Sequence, residues 1–394
     1  MSAFETLSLK TSLPAPDPKY DRWTVPENPH SPSPGSANFA DTSAHHQLHY
    51  ITTAINYANG AAHMGHAYEG VTADVISRAF RMGFKGDNSG GYFLTGSDEH
   101  GQKIAGVAEK EGKEPIEVCD QYVRGFQSLN YRMRISNDDY LRTTSERHKN
   151  TAREIWRRCG ENGDDIFLGS YEGWYNVREE AFVTENEAAL TGYKDETSGK
   201  PLEKVSEPSY FFRMGRYQER LVHHIQENPL FVQPAGVRKE ILARLKEPLR
   251  DLSISRTTFN WGIKVPEGWD QKHVMYVWFD ALSNYATGVD LFGLNEDGGT
   301  DGREKMWPPQ IHLIGKDIIW FHVVIWPCML MSAGVDLPKT IFAHGFINDK
   351  DGNKMSKTLN NGIDPHEMLD KFDNDTFRWY LCKEPPFGKD LSFR

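Results

Sequence analysis

The stretch from Tyr50 to Phe84, YITTAINYANGAAHMGHAYEGVTADVISRAFRMGF, constrains this chain more than any other. Tyr50 to Ile55 is a short run rich in β-branched residues, the composition of a buried strand. Asn56 to Ala62 breaks that pattern with Asn, Gly and Ala, the small residues a tight strand-to-helix turn needs. From about Met64 a helical period begins, with Ala67, Val71, Val75, Ala79 and Phe80 as its apolar stripe. His63 and His66 stand three apart at the start of that helix, so both share one face over its N-terminus. Free backbone N–H groups and the positive end of the helix dipole attract anions there. Gly65 and its small neighbours let a nucleotide approach closely. The pattern reads as a nucleotide site, although two histidines at this spacing also fit a metal pair or a polar helix face.

The remaining composition narrows the class. A chain of 394 residues has room for two or three domains. Lys and Arg number 45 against 55 Asp and Glu, a net charge of −10, so any nucleic-acid contact must come from local basic patches. Cys119, Cys159, Cys328 and Cys382 are far apart with no CxxC pair, which fits a reducing compartment and argues against a disulfide framework or zinc knuckle. No apolar run approaches the roughly 20 residues of a membrane span, so a soluble protein without membrane partners is expected. Residues 1–47, rich in Pro, Ser and Ala, read as a flexible extension. Glu5, Asp17, Asp21, Glu27 and Asp41 count against an organellar transit segment there.

Beyond the opening unit, Tyr92 to Thr95 predicts a second strand, ending in Gly96, Ser97, Asp98, Glu99 and His100. Such groups at a strand's carboxyl end lie where open parallel sheets bind ligands. Asp98 suits a ligand ammonium, or the N-cap of a following helix. Helices are expected from there to about residue 163. From Tyr171 to about Asp251, short aromatic strands and Gly, Asn and Lys turns predict an insertion, closed by a basic stretch with Arg238, Lys239, Arg244, Lys246 and Arg250. The α/β pattern returns at Val274: VMYVWFDAL reads as a buried strand, IHLIGKDIIWFHVVIWPCML as strand, turn and apolar helix, and TIFAHGFI as a third strand. One parallel sheet interrupted by an insertion follows, with His63, Asp98, Lys316, Asp317 and His344 along one edge. Lys354 and Lys357 lie on a polar loop after that edge, either an exposed turn or a cationic flap able to close on a polyphosphate.

HMGH, GSDEHG, VWFDAL, IGKDI and KMSKT, in this order, resemble a class I aminoacyl-tRNA synthetase, and within that class the methionyl-tRNA synthetases. HMGH at 63–66 is similar to the family's HIGH signature and KMSKT at 354–358 to its KMSKS. The resemblance covers roughly residues 48–394. It implies an α/β fold: a Rossmann-like parallel-sheet catalytic domain in two halves, 48–163 and 255–345. A connective-peptide insertion would occupy 164–254, and a KMSKS loop and stem-contact region 346–394. It implies ATP-dependent activation of L-methionine to methionyl-adenylate and transfer to tRNA(Met), by a cytoplasmic monomer using ATP with Mg2+.

Residue by residue, the resemblance gives His63, Gly65, His66, Lys354 and Lys357 to the ATP phosphates, Gly315 and Asp317 to the ribose, and His344, Gly345 and Ile347 to the adenine. Asp98 would take the methionine ammonium, and Ile55, Tyr57, Trp278, Ala281, Tyr285 and His322 would line the side-chain pocket. Arg256 matches an active-site arginine. A polarizable thioether pairs well with aromatic edges such as those of Trp278 and Tyr285. The chain departs from the pattern in three places. Asn176 and Glu179 stand where a zinc knuckle has cysteines, so no structural zinc is expected. Thr358 replaces the last Ser of the signature, and the sequence stops at Arg394 where the family continues into a helical anticodon-binding domain, so either the chain is a fragment or tRNA selection is handled otherwise. Related synthetases for leucine, isoleucine and valine carry an editing insertion larger than the roughly 80 residues here. A degenerate synthetase that only holds tRNA, and a metallohydrolase using His63, His66, Asp98 and His100, are the rival readings.

Overall fold

The computed structural model describes residues 49–83, 90–161, 164–176, 181–183, 185–195, 199–294, 302–353, 355, 361–386 and 388–393. The N-terminal extension, Glu179, Lys354, Lys357 and Thr358 lie outside the described residues.

The first unit is β1 (His49–Thr53), the two-residue β2 (Asn56–Tyr57) and helix α1 (Met64–Arg81). β3 (Gly91–Asp98) follows, then α2 (Gln102–Glu111) and α3 (Pro115–Arg132). The expected unbroken helical stretch is corrected here, because β4 (Asp139–Arg142) separates α3 from α4 (Glu146–Glu161). DYLR buries only Leu141, so no alternation of apolar residues announces the strand.

Three strands of the middle segment, β5 (Ile166–Asn176), β6 (Ala181–Val183) and β7 (Glu203–Phe212), precede the short β8 (Val232–Gln233), β9 (Leu252–Ser253), β10 (Ser255–Arg256) and β11 (Val274–Met275). β12 (Ile311–Gly315), β13 (Ile341–His344), β14 (Ile347–Asn348) and β15 (Leu391–Ser392) complete the set. β6, β5, β7 and β9 form an antiparallel sheet. The central sheet runs β4, β3, β1, β12, β13, β8, every pair parallel, with β2 against the carboxyl end of β3.

Alternation along these strands splits the core into two layers. Ile51, Phe93 and Leu313 pack with Met64, Ala67 and Val71 of α1 on one face. Tyr50, Leu94 and Ile314 pack with Trp156, Phe279, Tyr285 and Trp326 on the other. Each fully buried large apolar side chain there contributes about 1.5–3 kcal/mol. Within α1, Val75 of the expected stripe is 44% exposed, while Asp74 and Ser77 are buried. Asp74 turns inward because Ser136, Arg78 and Arg378 satisfy its carboxylate.

VMYVWFDAL is likewise corrected. Only Val274–Met275 is strand, and Val277–Leu282 is helix. The run is apolar apart from Asp280, and periodicity cannot separate a buried strand from a buried helix. IHLIGKDIIWFHVVIWPCML does give strand, turn and helix, though Phe321–Ile325 is wound as one π turn before the α-helix at Trp326–Ser332.

Candidate active site at the carboxyl edge of the sheet

α1 opens on His63, whose extended backbone makes it the N-cap. Its Nδ1 accepts from Gly65 N at 3.1 Å, and His66 Nδ1 accepts from His63 N at 3.1 Å. The two rings stack with centroids 3.6 Å apart. With each Nδ1 lone pair committed to a backbone N–H, a neutral ring carries its proton on Nε2. Desolvation by burial, then the nearby His63 and His344, hold the His66 pKa well below the usual histidine value. The capping box thus presents Nε2–H donors at a helix N-terminus, the arrangement suited to phosphate oxygens.

Beside it lies the edge formed by β12 and β13, paired so that Gly315 is opposite His344. Gly315 has no side chain to give: a Cβ there would sit 2.7 Å from Asp317 Oδ1. Asp317 itself is exposed at the edge. His344 is buried, donates from Nδ1 to Gly345 O at 2.9 Å, and meets Glu69 Oε2 through Nε2 at 2.9 Å. Burial acts to lower the His344 pKa, but the Glu69 hydrogen bond and charge more than offset it and hold it above its usual value. Burial pushes the Glu69 carboxyl up, against the pull of His344. A strap from the C-terminal segment closes over this wall. Ile347 pairs with Leu391, Lys316 Nζ contacts both Asp390 oxygens at 2.7 and 2.8 Å, and Phe346 N donates to Asp390 Oδ1 at 2.9 Å.

Asp98 ends β3, is buried, and pairs in register with Tyr57 of β2. It is not a helix N-cap, since α2 begins at Gln102 after Gly101. Ile55 and Tyr57 are half-buried nearby, with Lys103 Nζ 5.0 Å from the Tyr57 ring centroid. Trp278 and Ala281 share a face of the 277–282 helix, and Phe321 lies flat on Trp278 with centroids 3.7 Å apart. The π turn places His322 so that Nδ1–H donates to Ile318 O at 3.0 Å, which leaves Nε2 to accept from Tyr285 Oη at 2.7 Å. Burial drives the His322 pKa down to about 4, so this ring stays neutral. Trp278, Tyr285 and His322 thus meet in one aromatic cluster, its ring centroids 5.7 and 6.2 Å from His322. Arg256 stands in β10, away from the parallel sheet; its Nη1 donates to Ser253 Oγ at 2.9 Å and Ser255 O at 2.7 Å. Asn176, at a position expected to replace a knuckle cysteine, donates to Asp195 Oδ2 at 2.8 Å. Among the described residues no group of three or more His, Cys, Asp or Glu is arranged to hold a metal ion.

Sequence reasoning missed Glu69 and His312. Glu69 follows His66 by three residues, the same spacing that flagged the two histidines. His312 lies 4.0 Å from Tyr285, ring to ring, and bonds Thr52 Oγ1 at 2.7 Å; no pattern in the chain pointed to it.

The family described as class I tRNA synthetases (M) matches residues 49–394. A methionine–tRNA ligase of Rhizobium meliloti is 49% identical over 346 residues, 87% of this chain and 65% of the relative. The Bacillus subtilis methionine–tRNA ligase is 44% identical over 354 residues, 87% of this chain and 52% of its own. Among solved structures, Mycobacterium tuberculosis methionyl-tRNA synthetase in complex with methionyl-adenylate superposes with a TM-score of 0.81 at 42% identity, covering 88% of this chain and 66% of that one. The chain therefore spans between about half and two thirds of these relatives' length. With the signature histidines, the sheet edge and the aromatic cluster in this arrangement, the chain belongs to the class I tRNA synthetases (M).

Proposed function

We propose that this chain is a methionine–tRNA ligase: it activates L-methionine with ATP and passes the methionyl group to tRNA(Met). One observation carries the reading: two stacked imidazoles with their Nε2–H groups at a helix N-terminus, beside an edge bearing Asp317 and His344. The methionyl-adenylate bound to the Mycobacterium tuberculosis relative supports the choice of substrates. A methionine carboxylate oxygen attacks the α-phosphorus in line, the bond to the bridging oxygen of the β-phosphate breaks, and pyrophosphate leaves. His63 and His66 donate to the oxygens that gain charge, with Gly65 giving the phosphates access. Lys354 and Lys357 close on the pyrophosphate, and Mg2+ arrives on the ATP phosphates. Gly315 and Asp317 hold the ribose; His344, Gly345 and Ile347 border the adenine. Asp98 pairs with the methionine ammonium, while Ile55, Tyr57, Trp278, Ala281, Tyr285 and His322 enclose the thioether; Arg256 assists from the insertion side. A terminal adenosine hydroxyl of the tRNA then attacks the acyl carbon, releasing AMP. We assign 164–254 to the connective insertion, whose exposed Lys239, Arg244, Lys246 and Arg250 offer phosphates a surface. The monomeric state, the cytoplasmic location and the lack of structural zinc belong to the same reading.

Pyrophosphate exchange tests it. Exchange should depend on methionine, and His63→Ala or Lys357→Ala should lower its rate by about 10²–10³, roughly 3–4 kcal/mol of transition-state stabilisation. Unimpaired exchange in both variants would overturn the assignment. Absence of exchange with any amino acid would leave only a tRNA-holding role.

A further inference from the structure

A buried carboxylate lies behind the pocket that nothing in the reaction uses. Asp280 is fully buried on the 277–282 helix, between Trp278 and Ala281 in sequence but turned to another side. His100 Nδ1 meets its Oδ2 at 2.6 Å, and His148 Nε2 meets its Oδ1 at 2.7 Å. Both imidazoles are buried as well. Burial works to raise the Asp280 pKa, but the two histidines pull it below its ordinary value.

The network joins two segments that carry pocket residues, and through α4 it backs a third. His100 is two residues from Asp98, on the loop whose Glu99 carbonyl accepts from Trp261 Nε1 at 2.6 Å. Asp280 is flanked by the two pocket residues of its helix. His148 belongs to α4, which packs on the short helix Asn284–Gly288 carrying Tyr285. On that side the network is directional. Thr287 has one hydroxyl proton and gives it to Ser283 O at 3.1 Å, so it accepts from His148 Nδ1–H at 3.0 Å.

We infer that Asp280 is a positioning residue that fixes the ammonium side of the pocket against its thioether side, acting through His100 and His148. The inference rests on reading this pocket as the methionine site. Asp280 touches no substrate in this account. Its two oxygens each hold one imidazole: His100 is on the Asp98 loop, and His148 is on α4, which backs the helix carrying Tyr285. An amide in its place carries no charge and offers one acceptor oxygen, so both charge-assisted ties become neutral hydrogen bonds at best, one of them with its direction reversed. The nucleotide edge, on β12, β13 and the start of α1, lies outside the network. The expected signature is thus a loss of methionine affinity with ATP affinity retained.

Pyrophosphate exchange with the full chain, run as methionine and ATP titrations, is the test, with the active fraction measured from single-turnover adenylate formation. Asp280→Asn should raise the methionine KM at least tenfold and leave the ATP KM within twofold, at an undiminished active fraction. His148→Leu, which removes the imidazole donor, should raise the methionine KM three- to fivefold; it keeps the question answerable where Asp280→Asn does not fold. Unchanged methionine KM values, with only less active protein, would reduce the network to a folding element and overturn the inference. Exchange by the unsubstituted chain that ignores methionine would overturn the reading of the pocket, and this inference with it.

Discussion

A charge on His322 would disrupt one of its two contacts. Its Nε2 lone pair accepts from Tyr285, and a proton there would turn the acceptor into a donor facing a hydroxyl. Burial therefore sets its pKa at about 4 in the folded chain, against about 6.5 unfolded. As pH falls below about 6.5 the unfolded chain takes up the proton first, so stability present at neutral pH is lost progressively toward pH 4. The full effect is about 3 kcal/mol. Urea unfolding followed between pH 7 and pH 4.5 should show falling stability, with a shallower slope in His322→Gln; equal slopes would remove His322 from the account. The sequence was informative at this scale wherever partners are neighbours in the chain, as with His63 and His66 or Gly315 and Asp317. It was silent on the pairing of His344 with Glu69 across 275 residues, and of His100 with Asp280 across 180. Their pairing exists only once the sheet has brought distant segments to one edge.

Elements were readable where one face is apolar and the other is not, or where a β-branched run ends in small residues. β1, β3, β12 and β13 meet that condition; β4 and the 277–282 helix do not, since one shows too few apolar residues and the other too many. The docking of the Asn374–Lys383 helix was equally hidden, because beside buried Phe377 and Leu381 it has an ionic anchor. Asp74, buried on α1, accepts from Arg378 Nη2 at 2.6 Å, from Arg78 Nε at 2.7 Å, and from Ser136 N and Oγ at 2.7 and 2.6 Å. Burial alone would raise its pKa, but Ser136 and Arg378 hold it below the usual carboxylate value. Asp74→Ala strips three partners of their acceptor and leaves Arg378, 15% exposed, without its buried counter-charge. Such a loss costs about 3–5 kcal/mol. Denaturant unfolding should show it, and amide exchange should show the 374–383 helix opening before the central sheet. Uniform exchange across both would mean that the helix is docked by its apolar face instead.

At the scale of the whole molecule the fold class was readable, because two α/β segments on either side of a different composition admit few connections other than one shared sheet. That sheet places β1 between β3 and β12, with Thr52 bonded to His312 across 260 residues. On a ribosome adding ~5–20 residues per second, the first strand therefore waits about 13–50 s for its second neighbour. Its open edge, apolar and unpaired through that interval, is a template for other chains. β3 and β4 follow soon enough to cover only the opposite side. Stalled nascent chains should accordingly expose β1 to protease until β12 has emerged, and become resistant after it; early resistance would mean that β1 finds another partner first. The edge bearing Asp317 and His344 is thus a late feature: a newly made molecule binds nothing there until β13 has emerged.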